Sequence, residues 1–169
     1  GRELTRHADG TFTLHLAESN VRLDFAPSAS DPLAHLLRSV RDMFGNAIRL
    51  SYQDDHLVEI LDTVGRTFRI RYGQYNRIAS VETRREPTGA DWVALARYEY
   101  DDAGNQVAFI DVLGHACRYV YEGHRLVQWT DRLGLDVHYV YESESPTARC
   151  VETWTDRRER RDPCLAPAL

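Results

Sequence analysis

Residues 97–141 read RYEYDDAGNQVAFIDVLG, then HACRYVYEGHRLVQWTDRLG, then LDVHYVY. The second and third pieces nearly superimpose at a shift of twenty residues. Gly114 returns as Gly134, Tyr119 as Tyr139, Tyr121 as Tyr141, and Asp111 as Asp131. The same shift carries Asp42 to Asp62, Gly45 to Gly65, Leu50 to Ile70, Tyr52 to Tyr72 and Val58 to Ile78. A fixed period of this length is the mark of a repeat architecture, in which one supersecondary unit recurs and stacks on its neighbours.

Within each period two short segments alternate in polarity. Ile48, Leu50 and Tyr52 point one way, with Arg49 and Ser51 the other. Phe68, Ile70 and Tyr72 alternate with Arg69 and Arg71, and Cys117, Tyr119 and Tyr121 with Arg118 and Val120. Period-two alternation rich in Tyr, Val, Ile and Phe is a strand pattern. Between segments stands Asp-x-x-Gly, at Asp42/Gly45, Asp62/Gly65, Asp101/Gly104, Asp111/Gly114 and Asp131/Gly134. Asp suits the first position of a type I turn, where its carboxylate accepts a nearby N–H, and Gly suits the fourth. Each period is therefore a strand, a tight turn and an antiparallel strand. One such hairpin is marginal in water, so the chain is expected to be all-β. It reads as a meandering antiparallel sheet of about a dozen short strands built from twenty-residue hairpin repeats.

In chain order, residues 1–36 form an N-terminal hairpin and loop, with strands in 11–25 turning at Ser19-Asn20. Pro27 to Pro32 is a loop. Leu33–Val40 fits a helical turn as well as a strand, and 37–41 is taken as strand. The repeat sheet spans 37–156, with an insertion at 83–92 around Pro87 and Gly89. Residues 157–169 are an irregular tail: Glu159 stands where Gly is expected, and RRERRDPCLAPAL has no alternation. Two accounts of it stay open, a native tail whose arginines meet an acidic partner or a shifted reading frame after Thr155. The hairpin at 11–25 and the strand at 148–154 are the expected sheet edges.

RYEYDDAG followed by a hydrophobic strand, Asp111 and Gly114 resembles the Rhs repeat, named the YD repeat after pairs such as Tyr100-Asp101. DMFGNAIRLSYQDDHLVEILDTVGRTF resembles earlier repeats of bacterial Rhs proteins, and TARCVETWTD a later segment. The resemblance covers about residues 37–156 in the family's order. It implies a β-sheet spiralling into a hollow shell around a toxic C-terminal domain, in polymorphic toxins many of which leave the bacterium by type VI secretion. It further implies a toxin or effector domain, or other shell segments, as partners. A cytoplasmic stage before export follows, with secretion or cell-surface display as the destination. The Tyr-Asp pair is intact only at Tyr100-Asp101; Gln53, Gly73, Glu122 and Glu142 follow the other tyrosines. The family's self-cleavage segment, variable toxin and front docking domain are not recognisable in the sequence.

Hydrophobic residues make up 43% of the 169, ordinary for a globular protein. The net charge of −5 argues against a sequence-independent nucleic-acid binder, which needs a basic face to neutralise phosphates. Every basic side chain besides histidine is Arg. Cys117, Cys150 and Cys164 are odd in number and far apart, which fits neither a disulfide framework nor a zinc site. No run of about twenty apolar residues is present to span a membrane as a helix, and no signal-peptide pattern stands at the start.

His115, His124 and His138 lie in neighbouring repeats without a recognised ligand spacing, so no metal or other cofactor is expected. His56 and His124 read as solvent-facing turn residues. Asp54-Asp55 and Asp101-Asp102 sit at turns, where capping of amides explains them better than acid–base work. No catalytic residue is assigned. Three readings remain: a structural shell segment, a carbohydrate-binding surface, or an enzyme with a dispersed site. Tyr119, Tyr121, Trp129, Tyr139, Tyr141 and Trp154 are the candidate sugar-stacking residues. Packing between strands favours the shell, and exposure in a groove favours the sugar binder. Homo-oligomers through unpaired edges are a further expectation.

Overall fold

The computed structural model describes residues 1–85 and 89–157. These residues form fourteen strands in one antiparallel sheet, hydrogen-bonded strictly in chain order. The first seven are β1 Arg2–Arg6, β2 Phe12–Leu16, β3 Val21–Pro27, β4 His35–Arg41, β5 Ala47–Gln53, β6 His56–Leu61 and β7 Thr67–Tyr72. After a 3₁₀ turn at Gln74–Asn76 come β8 Ile78–Arg84, β9 Trp92–Tyr100, β10 Gln106–Asp111 and β11 Ala116–Glu122. β12 Arg125–Thr130, β13 Leu135–Tyr141 and β14 Cys150–Arg157 complete the meander. The sheet is open, with β1 and β14 at its two ends. The all-β meander expected from the alternation is the fold.

One detail departs from the sequence reading, and one ambiguity in it is resolved. RELTR forms β1 and pairs along its full length with β2, so the hairpin at 11–25 is not the edge. Its polar composition hides it, because an edge strand with all five residues exposed needs no apolar alternation. The ambiguous stretch 33–40 is extended from His35 onward, as β4, because its apolar residues pair with those of β3. Of the irregular tail, Arg157 ends β14 and the remainder lies outside the described residues, as do residues 86–88 of the insertion.

The chain divides into two compact units. One holds Gly1–Gly73 and Ser80–Leu95, the other Gln74–Ala79 and the chain from Ala96 on. In the first, cross-strand register lines up Leu4, Leu14, Leu23, Val40 and Ile48 across β1 to β5. The opposite face carries Thr5, Thr13, Asp24, Ser39 and Arg49 in the same register. There Asp24 accepts hydrogen bonds from the hydroxyls of Thr13, at 3.0 Å, and Ser39, and pairs with Arg41 at 3.1 Å. Further along the unit, Arg69 pairs with Glu82 and lies 4.0 Å from the centre of the Trp92 ring. In the second unit Phe109 faces Tyr98 and Cys117, and Tyr119 faces Trp129, which faces Val137.

Alternation therefore gives each unit one largely apolar and one largely polar face. No large side chain is fully buried among the described residues; their buried apolar residues are Ile70 in the first unit and Ala108 in the second. A single sheet layer leaves its apolar face half-covered, and a second layer normally completes such a face.

One feature of the period lies in the register. β4, β6, β10, β12 and β14 each carry one extra residue against the preceding strand: Arg38, Val58, Val107, Val127 and Val151. Arg38 and Val58 are one period apart, as are Val107 and Val127. A β-bulge bends its strand and raises the local twist. Repeating it on the returning strand of successive hairpins bends the sheet in step with the sequence.

Candidate functional site

The repeated turns are built by their aspartates. In each Asp-x-x-Gly loop the glycine N–H donates to the Asp carbonyl, at 3.4 Å for Gly45, 3.1 Å for Gly65, 2.9 Å for Gly104, 3.0 Å for Gly114 and 3.1 Å for Gly134. The aspartate N–H returns a bond to the carbonyl one residue past the glycine: Asn46, Arg66, Asn105, His115 or Leu135. All five glycines sit at positive φ, from 79° at Gly104 to 88° at Gly45. This is a type I turn closed by a left-handed residue, a geometry whose twist suits a hairpin.

The carboxylates add the capping expected of them. Oδ1 of Asp42, Asp62, Asp111 and Asp131 accepts from the backbone N–H two residues on and again four residues on, at 2.7–3.0 Å. Asp101 takes the N–H and the side-chain amide of Asn105. Hydrogen bonds from Asn46 and Asn105 hold the Asp42 and Asp101 carboxyls below the usual range. For Asp62 and Asp111 partial desolvation works upward, and donors from Arg66 and His115 outweigh it.

Loops from successive hairpins are tied together. The Asp55 carboxylate receives the hydroxyls of Ser28 and Ser30 and the N–H groups of Ala29 and Ser30. These bonds, the serine hydroxyls first, hold its carboxyl far below the usual range. Asp54-Asp55 is thus a structural turn, both residues at positive φ, but Asp55 caps a loop that lies far upstream of its own turn. In the second unit Asn105 bridges to the Gly123 carbonyl at 3.0 Å and to His124 Nδ1 at 2.6 Å. His124 is exposed as expected; His56 is half-buried, its ring edge-on to Tyr72 at 5.1 Å.

The tyrosines are mortared into the sheet. The hydroxyls of Tyr72, Tyr100 and Tyr141 donate to the carbonyls of Leu57, Ile78 and Leu126, at 3.1, 2.9 and 2.8 Å. Burial pushes the Tyr100, Tyr119 and Tyr121 phenols up. Register places Tyr119, Tyr121, Trp129, Tyr139 and Tyr141 on one face, all half-buried. Trp154 faces His138 across the strand pair and lies on the other face, 45% exposed. The six candidate sugar-stacking residues do not form one platform, because a strand turns alternate side chains to opposite faces.

No family model matches the chain. The chain is similar to the toxin protein Tse5 of Pseudomonas aeruginosa, 30% identical over 118 residues, which are 69% of this chain and 9% of Tse5. It is an Rhs-type segment. The segment thus spans under a tenth of the curated relative it matches. A solved structure of the Photorhabdus luminescens Tc holotoxin pore is also similar, at 13% identity and a TM-score of 0.48, over 87% of this chain and 10% of that one. No described helix of the Rhs-type segment is long and apolar enough to cross a membrane.

Proposed function

We propose that this Rhs-type segment is a non-catalytic length of β-wall in a toxin-associated shell that encloses or supports a toxin or effector domain. The observation that carries the reading is the uninterrupted meander, in which each strand pairs only with its sequence neighbours and the ends stay open. Such a sheet extends by adding hairpins of the same kind. The similarity to a toxin protein of which the chain covers 9% supports a longer parent. The half-covered apolar faces are surfaces on which further wall or cargo packs. Under this reading the segment turns over no substrate, and it leaves a bacterium as part of its parent toxin, by a type VI route.

The test is the coding DNA on both sides, expressed as one continuous protein. Further twenty-residue hairpins should flank the segment, and a following domain should resist a protease that cuts the same domain alone. Flanks encoding an unrelated fold, or a following domain cut at its free rate, would overturn the reading.

A further inference from the structure

We propose that Asp136, His138 and Asp156 form a binding site for a divalent first-row transition metal, which fastens β14 to β13. Asp136 and His138 stand two residues apart on β13 and so share a face. The register then sets Asp156 directly opposite Asp136, and Trp154 opposite His138. One donor atom from each of the three lies within 4.8 Å of the others. Imidazole and carboxylate donors bind such an ion at about 2.0–2.2 Å. A small movement of Asp156, exposed on the end strand, brings all three to that distance.

Two observations point to a cation. Asp136 and Asp156 set two like charges directly opposite each other on antiparallel strands, and a cation bound by both relieves their repulsion. The residue carrying the first, Asp136, is only 2% exposed, where charge repulsion is poorly screened. His138 Nε2 is itself buried and has no hydrogen-bond partner, although Asp156 Oδ1 is 3.5 Å away. That separation is long for a hydrogen bond and natural for two donors held by one ion.

The remaining contacts fix the donors in place. Thr130 on β12 donates its hydroxyl to Asp136 Oδ1, and the Trp154 ring stacks on the imidazole at 3.7 Å and 12°. Ligands held by neighbours in this way keep the orientation a metal needs. One nitrogen and two oxygens, without thiolate, suit zinc, cobalt or nickel over calcium or magnesium, which favour all-oxygen shells. Water fills the remaining positions. Reading the sequence for histidine pairs sets this site aside, because the decisive partner, Asp156, is brought to Asp136 only by strand register.

The Trp154 stack supplies a direct readout. Chelator-treated protein is titrated with Zn²⁺ by calorimetry and with Ni²⁺ by tryptophan fluorescence, with Mg²⁺ and Ca²⁺ as controls. One equivalent of Zn²⁺ is expected, together with Ni²⁺ quenching that disappears in Trp154→Phe while zinc binding persists. Asp156→Asn and His138→Gln should each weaken binding at least roughly tenfold. Asp156 is exposed, so its variant keeps the fold even if Asp136→Asn does not. Absence of stoichiometric binding would overturn the proposal. So would binding unchanged in both Asp156→Asn and His138→Gln, which would mean the other histidines hold the ion. Stronger binding of Ca²⁺ or Mg²⁺ than of Zn²⁺ would overturn the assigned metal class.

Discussion

Gly114 and Gly134 each carry a φ of 84°. Around Gly114 a Cβ meets nothing within 4 Å, so the obstacle to another residue is the backbone conformation and not space. A β-branched residue there is strained by about 1–3 kcal/mol. Gly114→Val and Gly134→Val should lower the unfolding free energy by about that much, measured in urea, while Gly89→Val, outside the repeat turns, should cost much less. Asp55 is the second sensitive residue. Its carboxyl is depressed in the folded state, so its contribution is present above the unfolded value, near 3.8, and is lost as pH falls through the lower folded one. Asp55→Asn should therefore reduce the melting temperature at neutral pH, and the gap to the wild type should close only in strong acid. A gap independent of pH would separate the effect from ionisation.

Hairpins were legible because their determinants are local. Asp111 and Gly114 specify a turn by themselves, and Ile48, Leu50 and Tyr52 declare a face without reference to any partner. The bulges were not legible. Val127 is β-branched and reads as one more strand residue, and only its pairing shows that it stands outside the alternation. The same limit hid the Asp136–Asp156 juxtaposition and the placement of Trp154 on the opposite face from Trp129. Register between strands depends on every turn and bulge before it, and a one-residue error exchanges the faces. The tyrosine hydroxyls belong to this scale, since they bind one strand to the next. Tyr72→Phe and Tyr141→Phe each remove one bond to a neighbouring strand and should each cost about 0.5–1.5 kcal/mol in chemical denaturation. A neutral result at both sites would mean water replaces the phenol without loss.

Over the whole molecule, the two end strands decide behaviour in solution. β1 exposes Leu4, and β14 exposes Val151 and Trp154, with no lysine anywhere in the chain to discourage pairing. Residues 1–169 expressed alone should self-associate through these edges or through the half-covered apolar faces. Light scattering across a dilution series checks this: the apparent mass should rise with concentration. A strict monomer at high micromolar concentration would overturn this expectation and, with it, the picture of a length cut from a wall.

A sheet whose strands pair only with their neighbours in sequence has no crossing connection to block its disassembly. Pulled from one terminus, it opens like a zip fastener. Each hairpin can part before the next is disturbed, releasing a contour of roughly 70 Å per twenty residues. The same order serves the reverse journey. A chain emerging through a narrow conduit, last strand trailing, can rebuild each hairpin as it appears, because no strand waits for a partner that has yet to arrive.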